Sequence, residues 1–169
     1  MPRLRATVDI EPGPEAVWDV IADFGGVYRW NPTVNSSHLT SERGSGVGTT
    51  RHCDLAMAGA TVEERILDWR DGSGFTVAIF DKKRMPFVTD LVGSFSVEER
   101  GGGAEAAFEF EYRTTSGPIG RLMDRFVIRT QNRKMARLIL AGLKHHVETG
   151  EEVGKEVRVD RDVVHLAEV

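Results

Sequence analysis

The chain has 169 residues, 40% of them apolar and 28% charged, which is ordinary globular usage and excludes a disordered or fibrous protein. A domain of that length hides about 70% of its unfolded surface, enough for a sizeable core. The formal charge is −4 with basic residues scattered among acidic ones, against nucleic-acid binding, and the single cysteine, Cys53, leaves no intramolecular disulfide and no cysteine-rich zinc site.

The opening MPRLRATVDI holds no apolar stretch of signal-peptide length, and nowhere do about 20 apolar residues run together. A cytoplasmic protein without a membrane span is therefore expected. Leu4, Ala6, Val8 and Ile10 alternate with Arg5, Thr7 and Asp9, the period of a half-buried strand. Pro12, Gly13 and Pro14 end it, and Pro14 suits the first turn of a helix whose face is Val17, Trp18, Ile21 and Ala22. Gly25-Gly26 stops that helix, and Val27 to Trp30 forms a second short turn. Six strands follow, at about 34–42, 47–57, 60–70, 74–80, 87–99 and 104–115, joined by turns at Gly44-Ser45-Gly46, Ala58-Gly59, 71–74 and 101–103. After Gly117-Pro118, apolar residues from Ile119 to Val147 recur at spacings of three and four, predicting one long amphipathic helix that stops near Gly150. Residues 151–169 are charged but alternate at Val157, Val159 and Val163, so they read as a tail or as an added edge strand. The expected class is α+β: a seven-stranded curved antiparallel sheet around a long C-terminal helix, with two short helices after the first strand.

Several segments carry a resemblance. Residues 14–24 form an amphipathic entry, PEAVWDVIADF, followed by Tyr28-Arg29-Trp30-Asn31-Pro32; Val47-Gly48-Thr49-Thr50-Arg51, Glu64-Arg65-Ile66-Leu67-Asp68 and Met85-Pro86-Phe87 come next. In this order they resemble the polyketide cyclase/dehydrase branch of the START-related, birch-pollen-allergen-like superfamily. The resemblance implies a helix-grip fold over residues 1–150 and a cavity between sheet and helix. It also implies a strand acid at Glu64 facing that cavity. The superfamily spans carriers, receptors, cyclases and chaperone-type modules, so it leaves the activity open.

Glu64 shares a strand face with Val62 and Ile66, which would take it inward; a register shift of one would turn Glu63 in instead. Arg51 lies among Thr49, Cys53, Leu55 and Met57, either pairing with Glu64 inside or snorkelling over the sheet edge. Asp90 stands in a strand whose two faces are both mixed. Tyr112 alternates inward with Phe108 and Phe110, as a ligand donor or a core tyrosine. The expected ligand wall comprises Val62, Ile66, Val77, Ile79, Val88, Phe108, Phe110, Met123, Phe126 and Val127, with Arg51, Glu64 and Tyr112 at the ligand's polar part. Catalytic candidates are Glu64 and Asp90, as acid or base on an enolisable ketone. No cofactor is expected, and no metal: His145 and His146 are adjacent on a helix and His52 lies opposite Cys53. The expected partner is a small hydrophobic ligand, bound by a monomer or homodimer. A protein-partner or chaperone-type module is a further reading.

Overall fold

A computed structural model describes residues 3–85, 88–114, 117, 127–154 and 157–168. Strand β1 (Arg3–Ile10) buries Leu4, Ala6, Val8 and Ile10 and leaves the intervening positions outward. Helix α1 (Pro14–Ala22) starts on its proline and buries Val17, Trp18 and Ile21; a 3-10 turn (Phe24–Arg29) follows and buries Phe24 and Val27. The meander is β2 (Val34–Leu39), β3 (Thr50–Leu55), β4 (Thr61–Arg70), β5 (Gly74–Lys83), β6 (Val88–Arg100) and β7 (Gly103–Thr114). Helix α2 (Arg129–Thr149) packs over β1 and β7. Its expected first part, including Met123 and Phe126, lies outside the described residues. Gly150 ends α2 in the left-handed region at φ 75°, where its N–H reaches the His146 carbonyl at 2.8 Å.

Among the described residues the sheet has eight strands rather than seven, all antiparallel, in the order β2-β3-β4-β5-β6-β7-β1-β8. The eighth, β8 (His165–Glu168), pairs with the free side of β1. The alternation at Val157, Val159 and Val163 is not this strand. Val159 and Val163 instead pack against the core from the irregular stretch after α2, and Val153 donates its N–H to the Arg29 carbonyl at 2.7 Å. Among the described residues no helix is long and apolar enough to cross a membrane.

Two bulges bend the sheet where β4 meets β5. Glu63 and Glu64 face Asp81 and Ile79, leaving Phe80 extra on β5, and Ile66 and Asp68 face Val77 and Thr76, leaving Leu67 extra on β4. Both extra residues are exposed. The second bulge reverses the phase of β4, so that Trp69 turns inward against Trp18 and Phe75, at centroid distances of 4.9 and 5.8 Å.

Gly142, in the middle of α2, is explained by contact. A Cβ there would overlap the Trp30 carbonyl oxygen and lie 2.6 Å from Pro32 Cδ. Alanine gains at most about 1 kcal/mol of helix propensity and loses about 1–3 kcal/mol to overpacking. Gly142→Ala should therefore lower the denaturation midpoint although it improves the helix, and Gly142→Val should lower it further.

Candidate functional site

The concave face is laid out in rows across the strands. In one row Trp69, Phe75, Phe95 and Phe108 are register neighbours from β4 to β7, with ring centroids 5.8, 5.4 and 4.6 Å apart in turn. Trp30 stands edge-on to Phe95 and Phe24 edge-on to Phe75. This end of the interior is packed aromatic core, and Phe108 belongs to it. The next row is Ile66, Val77, Gly93, Phe110 and Leu4.

The third row holds Arg51, Glu64, Ile79, Leu91 and Tyr112, each paired with the next across β3 to β7. Arg51 and Tyr112 are buried and the Glu64 side chain is 13% exposed. Arg51 Nε donates to Glu64 Oε2 in a very short ion pair, Nη1 donates to the Phe24 carbonyl at 2.7 Å, and the guanidinium lies 3.9 Å from the Phe24 ring centroid. Cys53 Sγ sits 3.8 Å from the same Glu64 oxygen. Thr49, two residues before Arg51 and just ahead of β3, is wholly buried, and its hydroxyl has no hydrogen-bond partner among the described residues. A guanidinium, a carboxylate and a thiol thus meet on an otherwise apolar face.

Of the two register alternatives for β4, Glu64 is the residue turned inward, between buried Val62 and Ile66. Glu63 sits on the outer face and bonds His52 Nδ1. Val62, Ile66, Val77, Ile79, Phe108 and Phe110 lie on the concave face, Ile79 only partly buried. Tyr112 shares a row with Glu64 but stands three strand spacings away, about 14 Å along the sheet. It and the ion pair therefore flank the apolar row rather than meeting at one polar group. Asp90 does not belong to the interior: Leu91 is the inward residue of β6, and Asp90 is exposed on the other face, 3.8 Å from Arg113. Val127 is likewise half-exposed and forms no wall. Met123 and Phe126, the side chain of Val88, and Pro86-Phe87 of the Met85-Pro86-Phe87 segment lie outside the described residues.

Burial pushes the Cys53 thiol up to about 12, so it stays protonated near neutral pH and is no nucleophile. Among the described residues no three His, Cys, Asp or Glu side chains are grouped to hold a metal. On the outer face, the hydrogen bond to Glu63, aided by Asp54, raises the His52 pKa above the usual histidine range. Because the folded value lies above the unfolded one, about 6.5, this stabilisation is complete below pH 6.5 or so and is lost as pH rises through the folded value. The midpoint of thermal unfolding should fall between pH 6 and 9 (about the range where histidine titrates), and His52→Gln should flatten that fall.

An antiparallel sheet curled against a long helix towards the C-terminus, with short helices after the first strand, defines a helix-grip protein. The chain belongs to the polyketide cyclase / dehydrase and lipid transport family, whose model matches residues 1–148. A protein from Thermus thermophilus superposes with a TM-score of 0.70 at 19% identity, over 86% of this chain and 97% of that one. A START superfamily protein from Mycobacterium smegmatis gives 0.67 at 13%, over 88% and 98%. A major latex-like protein from Panax ginseng gives 0.59 at 14%, over 81% and 97%. At these identities the likeness is one of fold. No curated protein matches the chain in sequence.

Proposed function

We propose that the protein binds a small hydrophobic molecule, lipid-like, aromatic or polyketide-like, against the concave face of its sheet, as carrier or sensor. The observation that carries this reading is the Arg51–Glu64 pair turned into an apolar interior. A core built only for stability gains little from such a pair, since apolar residues of the same volume serve as well or better. The pair also keeps capacity to spare. Among the described residues Glu64 makes both its contacts through Oε2, leaving Oε1, and Arg51 uses two of its five N–H donors. A carbonyl or hydroxyl of a ligand would sit there, beside the unpartnered Thr49 hydroxyl, with its apolar body along Ile66, Val77, Ile79 and Leu91 and any second polar group towards Tyr112.

The cyclase or dehydratase reading keeps one of its two acid–base candidates, Glu64, since Asp90 faces outward. Native mass spectrometry of the protein purified from its own host, before and after denaturation, tests the binding reading: a released apolar compound at one per chain is expected, and an empty protein under gentle conditions would overturn it. With that compound in hand, Glu64→Gln separates the two activities. A carrier loses affinity; an enzyme loses turnover with binding retained.

A further inference from the structure

On α2, Thr130, Arg133, Lys134 and Arg137 fall at spacings of three, four and seven and so form one stripe of the helix. They overhang Leu4 of β1 and Leu166 of β8, and the six residues line a recess of about 410 Å³. The wall is cationic and the floor apolar. Arg133 already has a partner, whereas Lys134 and Arg137 have none among the described side chains, which do not include that of Glu168, the β8 residue paired with Leu4. The helix carries five cations and a single carboxylate, Glu148, in a chain whose net charge is −4. Like charges at i, i+4, here Arg133 and Arg137, destabilise a helix, so folding alone does not account for the stripe. Part of the floor, Leu166, lies beyond the residues 1–148 that the family model matches. The recess stands four strands from Glu64 along the sheet and shares no residue with the Arg51–Glu64 row.

We infer that this recess is a second binding site, which takes an anionic amphiphile: a carboxylate or phosphate held by Lys134 and Arg137 with help from the Thr130 hydroxyl, its apolar group laid on Leu4 and Leu166. The volume falls within the range of small-molecule pockets. Such an anion comes either free or as part of a membrane lipid.

The test is an amide-shift titration of the full chain with sodium decanoate below its micelle concentration, alongside decanol and acetate, which carry only the tail or only the charge. Saturable shifts at Leu4, Thr130 and Leu166 are expected with decanoate alone. The double variant Lys134→Gln/Arg137→Gln should weaken binding by about tenfold or more, as loss of charge-assisted contacts implies. Without decanoate its Tm should stay level or rise, which distinguishes binding cations from structural ones. Co-sedimentation with phosphatidylglycerol vesicles that is lost in the same variant would make the source a lipid headgroup; decanoate binding without it would make the source a free amphiphile. Shifts confined to the Glu64 row, equal binding of decanol, an undiminished double variant, or no saturable shift would each overturn the site.

Discussion

Glu64→Leu is expected to cost about 3–5 kcal/mol of folding stability, because it strands the Arg51 charge in the interior. The Arg51 side chain is 5% exposed and held from the other side by the Phe24 carbonyl and ring, so it has no route to water without moving the 3-10 turn. Urea denaturation of the variant should show the loss as a lower midpoint with an unchanged slope. The informative comparison is Arg51→Met/Glu64→Leu. Removing both charges leaves the Phe24 carbonyl without its donor, a loss of about 1–3 kcal/mol, and the Cys53 thiol, a weak donor, without its acceptor, so the double variant should be at least as stable as Glu64→Leu alone. A double variant less stable than both singles would mean that the pair is held for folding, and the argument for a ligand there would fall.

That comparison separates two reasons for an internal charge. If the double variant folds well and no longer retains the compound released from the native protein, the pair serves recognition. If it folds well and still retains the compound, the ligand is held by shape and apolar area, and polar anchoring plays no part.

The inward turn of Glu64 was legible because Val62 and Ile66 flank it two residues either way, and both are buried. Asp90 was not legible in the same manner. Both faces of its strand mix polar and apolar residues, and only pairing of Leu91 with Tyr112 fixes which face is inside. The direct pairing of Arg51 with Glu64 depends on the β3–β4 turn, whose length sets the register. Alternation counted along β4 would send Trp69 outward; one extra residue at Leu67 reverses it, and a bulge leaves no composition signal. Strand β8 has four residues and forms only because β1 offers an unpaired edge, a tertiary fact. The cationic stripe of α2 is easily read as a solvated helix face, and only the placement of Leu4 and Leu166 beneath it makes it a recess.

Phe95→Ala should be the most costly of the aromatic truncations, at about 3–5 kcal/mol. The ring is 6% exposed and stands at the crossing of the aromatic row with the loop after the 3-10 turn: Phe75 and Phe108 flank it across the sheet at 5.4 and 4.6 Å, and Trp30 meets it edge-on at 5.6 Å. No neighbour can close the gap easily, because each is itself held, Trp30 by the close approach of its carbonyl to Gly142 on α2. Phe80→Ala deletes the same side chain from the outer face, where the ring is half-exposed and lies 4.7 Å from the Arg65 guanidinium, and should cost about 0.5–1 kcal/mol. The contrast also bears on where a ligand lies. If the aromatic row is filled core, Phe95→Ala lowers stability while the affinity for the compound held at the Arg51–Glu64 row changes little. A large loss of affinity, with stability nearly intact, would place the ligand among the aromatics and make Phe95 part of its wall.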